Sequence, residues 1–450
     1  MKVLLAGYNL DNEVIEGLKS GNNRGDNVTP EVLSASYARI SRDPRPIDEL
    51  RADARNEVEK TRRSNKAIIF KMGHHSVAEH AIFNFDLIGI SRLALEEIEK
   101  FRLVSYTEKS QRYQRLEDNY LPGPYDDIVK EQNKSYQKMV DGGVEPEDAR
   151  YITSLATRGQ VGVTINARNL ELLFRRFASS KLPEINRLGV EMFKQVEAIA
   201  PSIILFTQPN ALDRDTYDEL GKGLGLGLGS GKQREVSLEY YTPKADEMTV
   251  AALMYTVSKA PFKECLAKAE SLSKEEKMEL VKTALKNMEF YDATLREFEY
   301  VDLGYDLIVS SACFGQLKRH RMATLTCQEY DPGLGVTIPP AIVTRGYKDE
   351  FMRIVDLTNK AYEKLKTPYV LTGAHRKRAH FKCNARELYH ISRLREDQHA
   401  QWDIQNISKE MVEQAKKAMP LTLLTCCGKD VYAGIYKGIF GSHPKVLPLY

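Results

Sequence analysis

The chain has 450 residues, which is too long for one typical hydrophobic core and predicts two or three domains. Its net charge of +3 at pH 7 does not indicate a nucleic-acid polymer as partner, because such proteins concentrate basic charge. The sequence contains no run of about 18 apolar residues, so no membrane span is expected. Its six cysteines show no CxxC spacing, which argues against a cysteine-based metal site and favours a reduced, cytoplasmic setting.

The first residues, MKVLLAGYNLDNEV, predict a β-strand rather than a signal peptide. Alternation of apolar and polar residues predicts half-buried strands in AIFNFDLIGI (81–90) and YVDLGYDLIVS (300–310). Apolar residues that recur every three or four positions predict helices at 47–72, 126–141, 169–199 and 386–419. The strands are few and long helices separate them, which favours an α+β fold over a doubly wound parallel sheet.

An internal repeat divides the chain. Phe-Arg-Leu at 101 recurs as His-Arg-Met at 320, Asn-Ala-Arg at 166 recurs at 384, and Pro201 recurs as Pro420. The offsets are nearly constant over a hundred residues, so we predict two copies of one domain, at 1–215 and 236–450. The Gly-rich run GKGLGLGLGSGK (221–232) lies in the predicted linker, 216–235. It lacks the GxxxxGK[ST] spacing of a phosphate-binding P-loop, which favours a linker or flexible loop.

The segment GHHSVAEH (73–80) places three histidines and a glutamate within eight residues. Its spacing is not the HExxH of a zinc site, and no further ligand is evident. We therefore expect a polar network around a cofactor or an interface rather than a metal.

The cluster Arg319-His320-Arg321 follows an apolar stretch at the end of a predicted helix. Residues two apart on a helix point about 200° apart, so the two arginines would not face one small ligand. They would serve two ligands or two subunits, or the cluster would only complement the helix macrodipole.

On the helix predicted from 386, Arg395 and His399 share the face of the apolar residues Leu388 and Ile391. Arginine is rarely buried without a partner, so an acidic residue or an anionic ligand is expected there. A snorkelling arginine at a subunit interface is the alternative.

The stretch that follows the first copy of the repeated phrase is polar. In an extended loop Glu108, Ser110 and Arg112 would point the same way. A hydroxyl, backbone N–H groups and a guanidinium make a plausible phosphate nest, although a solvated loop has the same composition.

Together these motifs resemble the flavin-dependent thymidylate synthases, whose signature is RHRxxSxxxxSxR with HxSxxEH upstream and NAR…R…HAQ downstream. The resemblance covers both copies. It implies two tandem thymidylate-synthase-complementing-protein-like domains, each a small, mostly antiparallel sheet packed with long helices.

The two copies keep complementary parts of these motifs. The first copy keeps HxSxxEH and the second half of the signature, but reads Lys100-Phe101-Arg102 at the basic cluster. The second copy keeps the cluster and the downstream motifs, but lacks HxSxxEH. Its Glu329 and Asp331 replace the Ser and Arg of the tail and would repel a phosphate.

The resemblance implies conversion of dUMP to dTMP with FAD as cofactor and with NADPH and 5,10-methylenetetrahydrofolate as co-substrates. It implies a homodimer that mimics the family tetramer, with sites shared by the two copies. Arg395 would be the catalytic residue at the pyrimidine ring. The nucleotide would be bound by Glu108, Ser110, Gln111, Arg112, Arg150, Gln316 and Arg319. The flavin would be bound, and the folate stacked, by Ser41, His74, Ser76, Glu79, Arg168, Arg319, His320, Arg321, Asn384, Arg386, His390 and His399.

Two other interpretations remain open. The chain would be a paralogue that modifies another uracil nucleotide, for example by hydroxymethylation, or a degenerate protein that binds flavin or nucleotide without catalysis. The second interpretation predicts losses scattered over both copies. The observed losses are complementary, which favours a retained composite site.

Overall fold

A computed structural model describes residues 1–21, 25, 27–224 and 234–447. Within these residues no helix combines the length and the apolar character that crossing a membrane requires. Of the Gly-rich run, 221–224 lie at the end of a helix, and 225–232 lie outside the described residues.

Secondary structure accounts for most of the described chain. The strands are β1 (Lys2–Tyr8), β2 (Ile82–Ser91), β3 (Val104–Glu108), β4 (Arg158–Asn166), β5 (Val236–Tyr241), β6 (Asp302–Ser310), β7 (Thr324–Cys327) and β8 (Arg376–Asn384). The α-helices are α1 (Asn12–Lys19), α2 (Glu31–Arg39), α3 (Ile47–Asn56), α4 (Val58–Lys66), α5 (Arg92–Ile98), α6 (Asp126–Asp141), α7 (Pro146–Ala149), α8 (Ala167–Ala178), α9 (Pro183–Val196), α10 (Ala211–Arg214), α11 (Thr216–Gly223), α12 (Ala245–Val257), α13 (Phe262–Ser271), α14 (Lys274–Leu285), α15 (Ser311–Leu317), α16 (Pro340–Thr344), α17 (Lys348–Leu365), α18 (Ala385–Arg395), α19 (Trp402–Ala418) and α20 (Lys429–Phe440). A π-helical turn spans Ala67–Lys71, and 3₁₀ turns span His75–His80, Arg150–Ile152, Arg296–Tyr300, Pro332–Leu334 and Pro368–Val370.

The chain forms two compact units. Unit 1 comprises Met1–Asp126 and Ser154–Gly229, and unit 2 comprises Asp127–Thr153 and Ser230–Tyr450. Each unit contains a four-stranded antiparallel sheet, with the order β1-β2-β4-β3 in unit 1 and β5-β6-β8-β7 in unit 2. The predicted α+β class, with two small antiparallel sheets among helices, is confirmed. The exact domain boundaries, 1–215 and 236–450, stay a prediction.

In unit 1 every second side chain of β2 faces the hydrophobic core. Phe83, Phe85 and Leu87 are fully buried, whereas the residues between them point away from the core. Each buried phenylalanine contributes about 1.5–3 kcal/mol relative to an exposed one. The core they form includes residues of α8 and α9.

Unit 2 repeats this arrangement. Ala379, Phe381 and Cys383 of β8 are buried in a core that includes residues of α18 and α19. The early segment Asp127–Thr153 is tied to this unit by hydrogen bonds, since the buried amide of Gln132 donates to the Thr358 hydroxyl at 2.9 Å. A segment from the first half of the sequence therefore belongs to the second compact unit.

Three of the long predicted helices are interrupted. The helix predicted at 47–72 breaks at Glu57, whose φ of −126° and ψ of 59° are not helical. The one predicted at 169–199 breaks before Pro183, because a proline disfavours helical geometry in the residue that precedes it. The one predicted at 386–419 breaks at 396–401, where the Asp397 carboxylate accepts from the His399 backbone N–H at 2.6 Å and forms a turn. By contrast, α6 matches the predicted helix at 126–141.

Candidate functional site

In unit 2 a chain of polar side chains links the end of α15 to α18. The Nε–H of Arg395 donates to Nε2 of His320 at 2.9 Å. Its two terminal nitrogens face Gln316, at 3.5 Å from the side-chain oxygen and 3.4 Å from the backbone carbonyl. The other ring nitrogen of His320, Nδ1, lies 3.2 Å from a carboxylate oxygen of Glu387. The guanidinium of Arg395 is therefore held by contacts to His320 and Gln316.

The contacts assign the tautomer of His320. Because Nε2 accepts from Arg395, the ring proton must lie on Nδ1 and point at Glu387. His320 is only 5% exposed and Glu387 only 7%. Burial, together with the positive charge of Arg395, lowers the pKa of His320 despite the raising effect of Glu387. The imidazole is therefore neutral at neutral pH, and its lone pair is available to the arginine.

The three residues of the predicted basic cluster have different environments. The helix α15 ends at Leu317, so Arg319, His320 and Arg321 follow it in turns rather than in a regular helix. His320 is buried, Arg319 is partly buried and Arg321 is exposed. The cluster thus directs its histidine inward and one arginine to the surface.

The NAR motif has the same structural role in both units. Asn384 caps α18 by accepting from the backbone N–H of Glu387 at 2.8 Å, and Asn166 caps α8 in the same way. Arg386 pairs with Glu299 at 3.0 Å, as Arg168 pairs with Glu79. Asn384 and Arg386, predicted as flavin ligands, therefore have partners within the chain.

Glu299 is a retained part of a motif that sequence analysis treats as lost from the second copy. It lies in the 3₁₀ turn Arg296–Tyr300, which precedes β6 as the 3₁₀ turn His75–His80 precedes β2. Of the residues in this motif, only the glutamate has the same type in both units. Its partner, the arginine of NAR, is also present in both units.

The HAQ motif (399–401) immediately precedes α19. Gln401 caps this helix by accepting from the Asp403 backbone N–H, and its amide donates to the Tyr151 hydroxyl at 2.8 Å. His399 and His390 are exposed, and the ring of His390 lies 5.9 Å from that of His320. Gln401 is thus structural, whereas the two exposed histidines are accessible to a ligand.

Arg150 lies in the first copy predicted from the sequence, 1–215, but the structure places it in unit 2, together with Arg395 and Gln316. It is 8% exposed, and its Nε donates to the backbone carbonyl of Glu147 at 3.1 Å. The next residue, Tyr151, donates to the buried carboxylate of Asp403 at 3.0 Å.

Sequence reasoning missed this network around Asp403. Ser310 also donates to the carboxylate, at 2.6 Å, and burial raises the pKa of Asp403. Ser91 and Glu184 make the equivalent contact in unit 1, and no single-copy motif marks either acid. The repeat offset of 219 relates both pairs and is the signal that would have revealed them.

In unit 1 the polar tail follows β3. Glu108 ends the strand and forms an ion pair with Arg92 at the start of α5. The Ser110 hydroxyl accepts from the Arg112 backbone N–H at 3.1 Å, so the chain turns here instead of continuing as the expected extended loop. The Arg112 guanidinium lies over the ring of Tyr113 at 5.1 Å.

This turn lies beside a cavity of about 80 Å³, which offers room for a few waters or one phosphate rather than a nucleotide. A wider, open depression of about 450 Å³ adjoins it, and Lys109, Ser110 and Gln114 line both. The smaller cavity is also lined by Gln111, Arg115 and Arg158. The two arginines are further cations that sequence reasoning missed, because no motif marks them.

The His-rich segment of unit 1 forms the 3₁₀ turn His75–His80 and the residues before it. His74 and Ser76 are exposed, and the ring of His80 meets that of Tyr37 at 4.5 Å. Exposed Ser41 follows α2, which packs on this turn. Among the described residues no group of three His, Cys, Asp or Glu side chains is arranged to hold a metal ion.

The family model for the thymidylate synthase complementing proteins matches residues 26–202 and 237–421. The chain belongs to this family. The prediction of a tandem member of the flavin-dependent thymidylate synthase (ThyX) family is confirmed, because the family model matches two successive segments of the chain.

Two flavin-dependent thymidylate synthases are similar to parts of this chain. A flavin-dependent thymidylate synthase from Geobacter sulfurreducens is 34% identical over 198 residues, which cover 41% of this chain and 84% of that protein. One from Sulfurisphaera tokodaii is 30% identical over 158 residues, which cover 32% of this chain and 62% of that protein. A structure of Helicobacter pylori ThyX complexed with FAD and dUMP is 18% identical, with a TM-score of 0.34, and covers 46% of this chain and 100% of that one.

Proposed function

We propose that this protein is a flavin-dependent thymidylate synthase that converts dUMP to dTMP, with methylenetetrahydrofolate as carbon donor. The observation that carries the proposal is the polar chain Glu387–His320–Arg395–Gln316 in unit 2. A cation held by oriented hydrogen bonds is suited to stabilising negative charge that develops on a pyrimidine ring, and such stabilisation is usually the largest catalytic contribution.

The donor groups fit FAD. Exposed or partly exposed Arg319, Arg321, His390 and His399 in unit 2, and His74 and Ser76 in unit 1, supply cations and hydrogen-bond donors for a diphosphate and a polar ring edge. Asn384, Arg386 and Arg168 already make contacts within the chain, so they would bind flavin through their remaining N–H groups or by exchanging those contacts. Bound FAD would supply the hydride, with NADPH as its source.

The chain's own residues would bind and orient the nucleotide. Ser110, Gln111 and the nearby cations Arg115 and Arg158 line a cavity of phosphate size, and Arg112 lies in the same turn. Arg395 would face the pyrimidine, and Gln316 and His320 would keep its guanidinium in place. The exposed rings of His390 and His399 would stack the folate.

We further propose that two chains form a dimer with two composite sites, in the manner of a tetramer of single copies. Unit 1 would contribute Glu108, Ser110 and Arg112, and unit 2 would contribute Arg150, Arg319 and Arg395. The complementary losses support this arrangement, since Glu329 and Asp331 are acids where unit 1 has Ser110 and Arg112. The two other sites of such a tetramer-like dimer would then lack either the Arg395 cation or the phosphate nest.

Product analysis by mass spectrometry tests the proposal. The purified chain with FAD would receive dUMP, methylenetetrahydrofolate and NADPH without oxygen, beside Arg395→Ala and the matched control Arg393→Ala. Arg393 lies on the same helix but contacts the Asp292 carbonyl and the ring of Tyr432. We expect dTMP from the native chain and from the control only. A product with the mass of a hydroxymethylated nucleotide would replace the proposal by the paralogue interpretation, and flavin binding without any product would reject catalysis.

A further inference from the structure

The repeat provides an internal comparison for the polar chain of unit 2. At the repeat offsets, His320 corresponds to Phe101 and Arg395 corresponds to Phe177. These two phenylalanines meet edge to face, with ring centroids 6.0 Å apart, and Phe177 is only 2% exposed. The same two positions therefore touch in both units, and both are polar in one unit and both aromatic in the other.

The outer members of the chain change with them. Glu387 corresponds to Asn169, whose amide donates to the capping Asn166 at 2.8 Å. Gln316 corresponds to Glu97, which pairs with Lys100 at 2.6 Å. Among its described residues, unit 1 therefore has no counterpart of the polar chain that orients Arg395 in unit 2.

This comparison separates stability from function. An aromatic pair contributes favourable packing, whereas a polar chain must offset the desolvation of its buried members, His320 and Glu387. The scaffold accepts the aromatic pair in unit 1, so packing alone does not require His320 or Glu387 in unit 2. A requirement other than stability accounts for keeping these two residues with Arg395.

We infer that Glu387 and His320 are positioning residues, in which Glu387 holds His320 as the Nδ1–H tautomer so that its bare Nε2 fixes the orientation of the Arg395 guanidinium. The catalytic consequence rests on the proposed function, in which Arg395 faces the pyrimidine. Without the acceptor at Nδ1 the ring would also populate the other tautomer, whose Nε2–H points at the Nε–H of Arg395. Two donors facing each other would turn the guanidinium away.

The charges around His320 are consistent with this role. From α18 it is faced by the carboxylate of Glu387, the guanidinium of Arg395 and the ring of His390. Lys318, Arg319 and Arg321 flank it along the chain. One acid and several cations surround the ring, so the neutral form with its lone pair toward Arg395 is the compatible one.

The test uses the full-length chain, three variants whose effects are compared and a fourth variant for signal assignment. Glu387→Ala removes the acceptor, and Glu387→Gln keeps an acceptor oxygen without the charge. The matched control is His375→Gln, a second buried histidine of unit 2 that bonds to Asn359 and Thr372 instead. Nitrogen-15 spectra of histidine-labelled protein report which ring nitrogen of His320 carries the proton, with the signal assigned from a His320→Gln sample. Binding of dUMP and the split between kcat and KM are measured on the same preparations.

We expect the native chain to show protonated Nδ1 and bare Nε2. Glu387→Ala should mix the tautomers and lower kcat by on the order of 10²-fold with a smaller change in the KM for dUMP, because a misoriented group costs most in the transition state. Glu387→Gln should recover most of this loss, and His375→Gln should leave the tautomer of His320 and kcat unchanged.

Two results would overturn the inference. One is protonation of Nε2 in the native chain. The other is an Ala variant whose tautomer and kcat both stay within about twofold of native values. If the native chain makes no dTMP, the proposed function fails, but the tautomer in native and Glu387→Ala chains, read with nucleotide binding, still decides the positioning role.

Discussion

The two units share one fold and differ in the chemistry of equivalent positions. Unit 2 joins His320 to Arg395 by a hydrogen bond where unit 1 packs Phe101 against Phe177. Both pairs connect the segment after a short helix to the helix that follows the last strand of the repeat. The same contact is thus made by polar groups in one unit and by apolar groups in the other.

In the segments that follow β3 and β7, unit 1 keeps the family residues and unit 2 does not. Unit 1 has Ser110 and Arg112 in its turn, where unit 2 has Glu329 and Asp331. Each unit therefore lacks motif residues that the other keeps. Features present in both units, such as the pairs Arg168–Glu79 and Arg386–Glu299, belong to the scaffold. The positions that differ are the ones that carry the proposed chemistry.

The largest expected effect comes from removing the cation that only unit 2 has. Arg395→Ala should lower the rate of dTMP formation by about 10²–10³-fold, because one aligned charge donor contributes on that scale. Single-turnover kinetics with saturating dUMP measure this directly. Phe177→Leu in unit 1 serves as the control, and an equal loss of rate there would break the contrast between the units.

Acid should destabilise unit 2 through a buried histidine that unit 1 lacks. Burial lowers the pKa of His375 to about 4, and Thr157 occupies the equivalent position in unit 1. Between pH 6.5 and 4 the unfolded chain binds a proton that the folded chain excludes, so folded-state stability falls as the pH falls. The contribution is about 3 kcal/mol.

Denaturant titrations at pH 7 and pH 4 would reveal this effect as a difference between the native chain and His375→Gln. The variant should lose less stability than the native chain over this range. Equal losses would show that carboxylates alone govern the acid response.

Loss of the unit 1 hydroxyl should weaken nucleotide binding. Ser110→Ala should raise the KM for dUMP by about tenfold with little change in kcat, since a hydrogen bond to a charged group contributes about 1.5–3 kcal/mol. The equivalent unit 2 variant, Glu329→Ala, should leave KM unchanged. A comparable effect from both variants would contradict the division of roles.

Exchanging the pair should separate packing from catalysis. The double variant His320→Phe/Arg395→Phe copies the pair of unit 1 and should fold without activity. We expect a coupling energy of about 1–2 kcal/mol between the two sites in a double-mutant cycle, because each single change leaves one partner unmatched. Additive losses of stability would show that the two positions do not act as a pair.

The smallest effect should come from the shared ion pair. Arg168 and Glu79 are substantially exposed, so Arg168→Ala should cost less than about 1 kcal/mol of unfolding free energy. Arg386→Ala should cost more, because Arg386 also donates to the Thr294 carbonyl at 2.8 Å. Thermal melts of both variants give the ranking, and a reversed order would remove the proposed scaffold role.

Much of the fold follows from local patterns. Alternation in AIFNFDLIGI predicts β2, and the period of α6 predicts that helix without error. The helix breaks at Glu57 and at 396–401 were not predicted, because they depend on backbone geometry and side-chain turns rather than on periodicity. The strands β3, β4, β5, β7 and β8 were not predicted either. The strands β3, β5 and β7 are short, and β8 carries several basic residues that obscure its alternation.

The sequence by itself determined the family, the repeat and the complementary loss of motifs, because residue identity at a constant offset is visible without coordinates. Only the tertiary structure decided what each residue of those motifs does. It assigns Asn384 to a helix cap, Arg386 to an ion pair and His320 to a partly buried hydrogen bond with Arg395. The last two roles depend on burial and on contacts between residues more than 60 positions apart, which spacing along the chain does not encode.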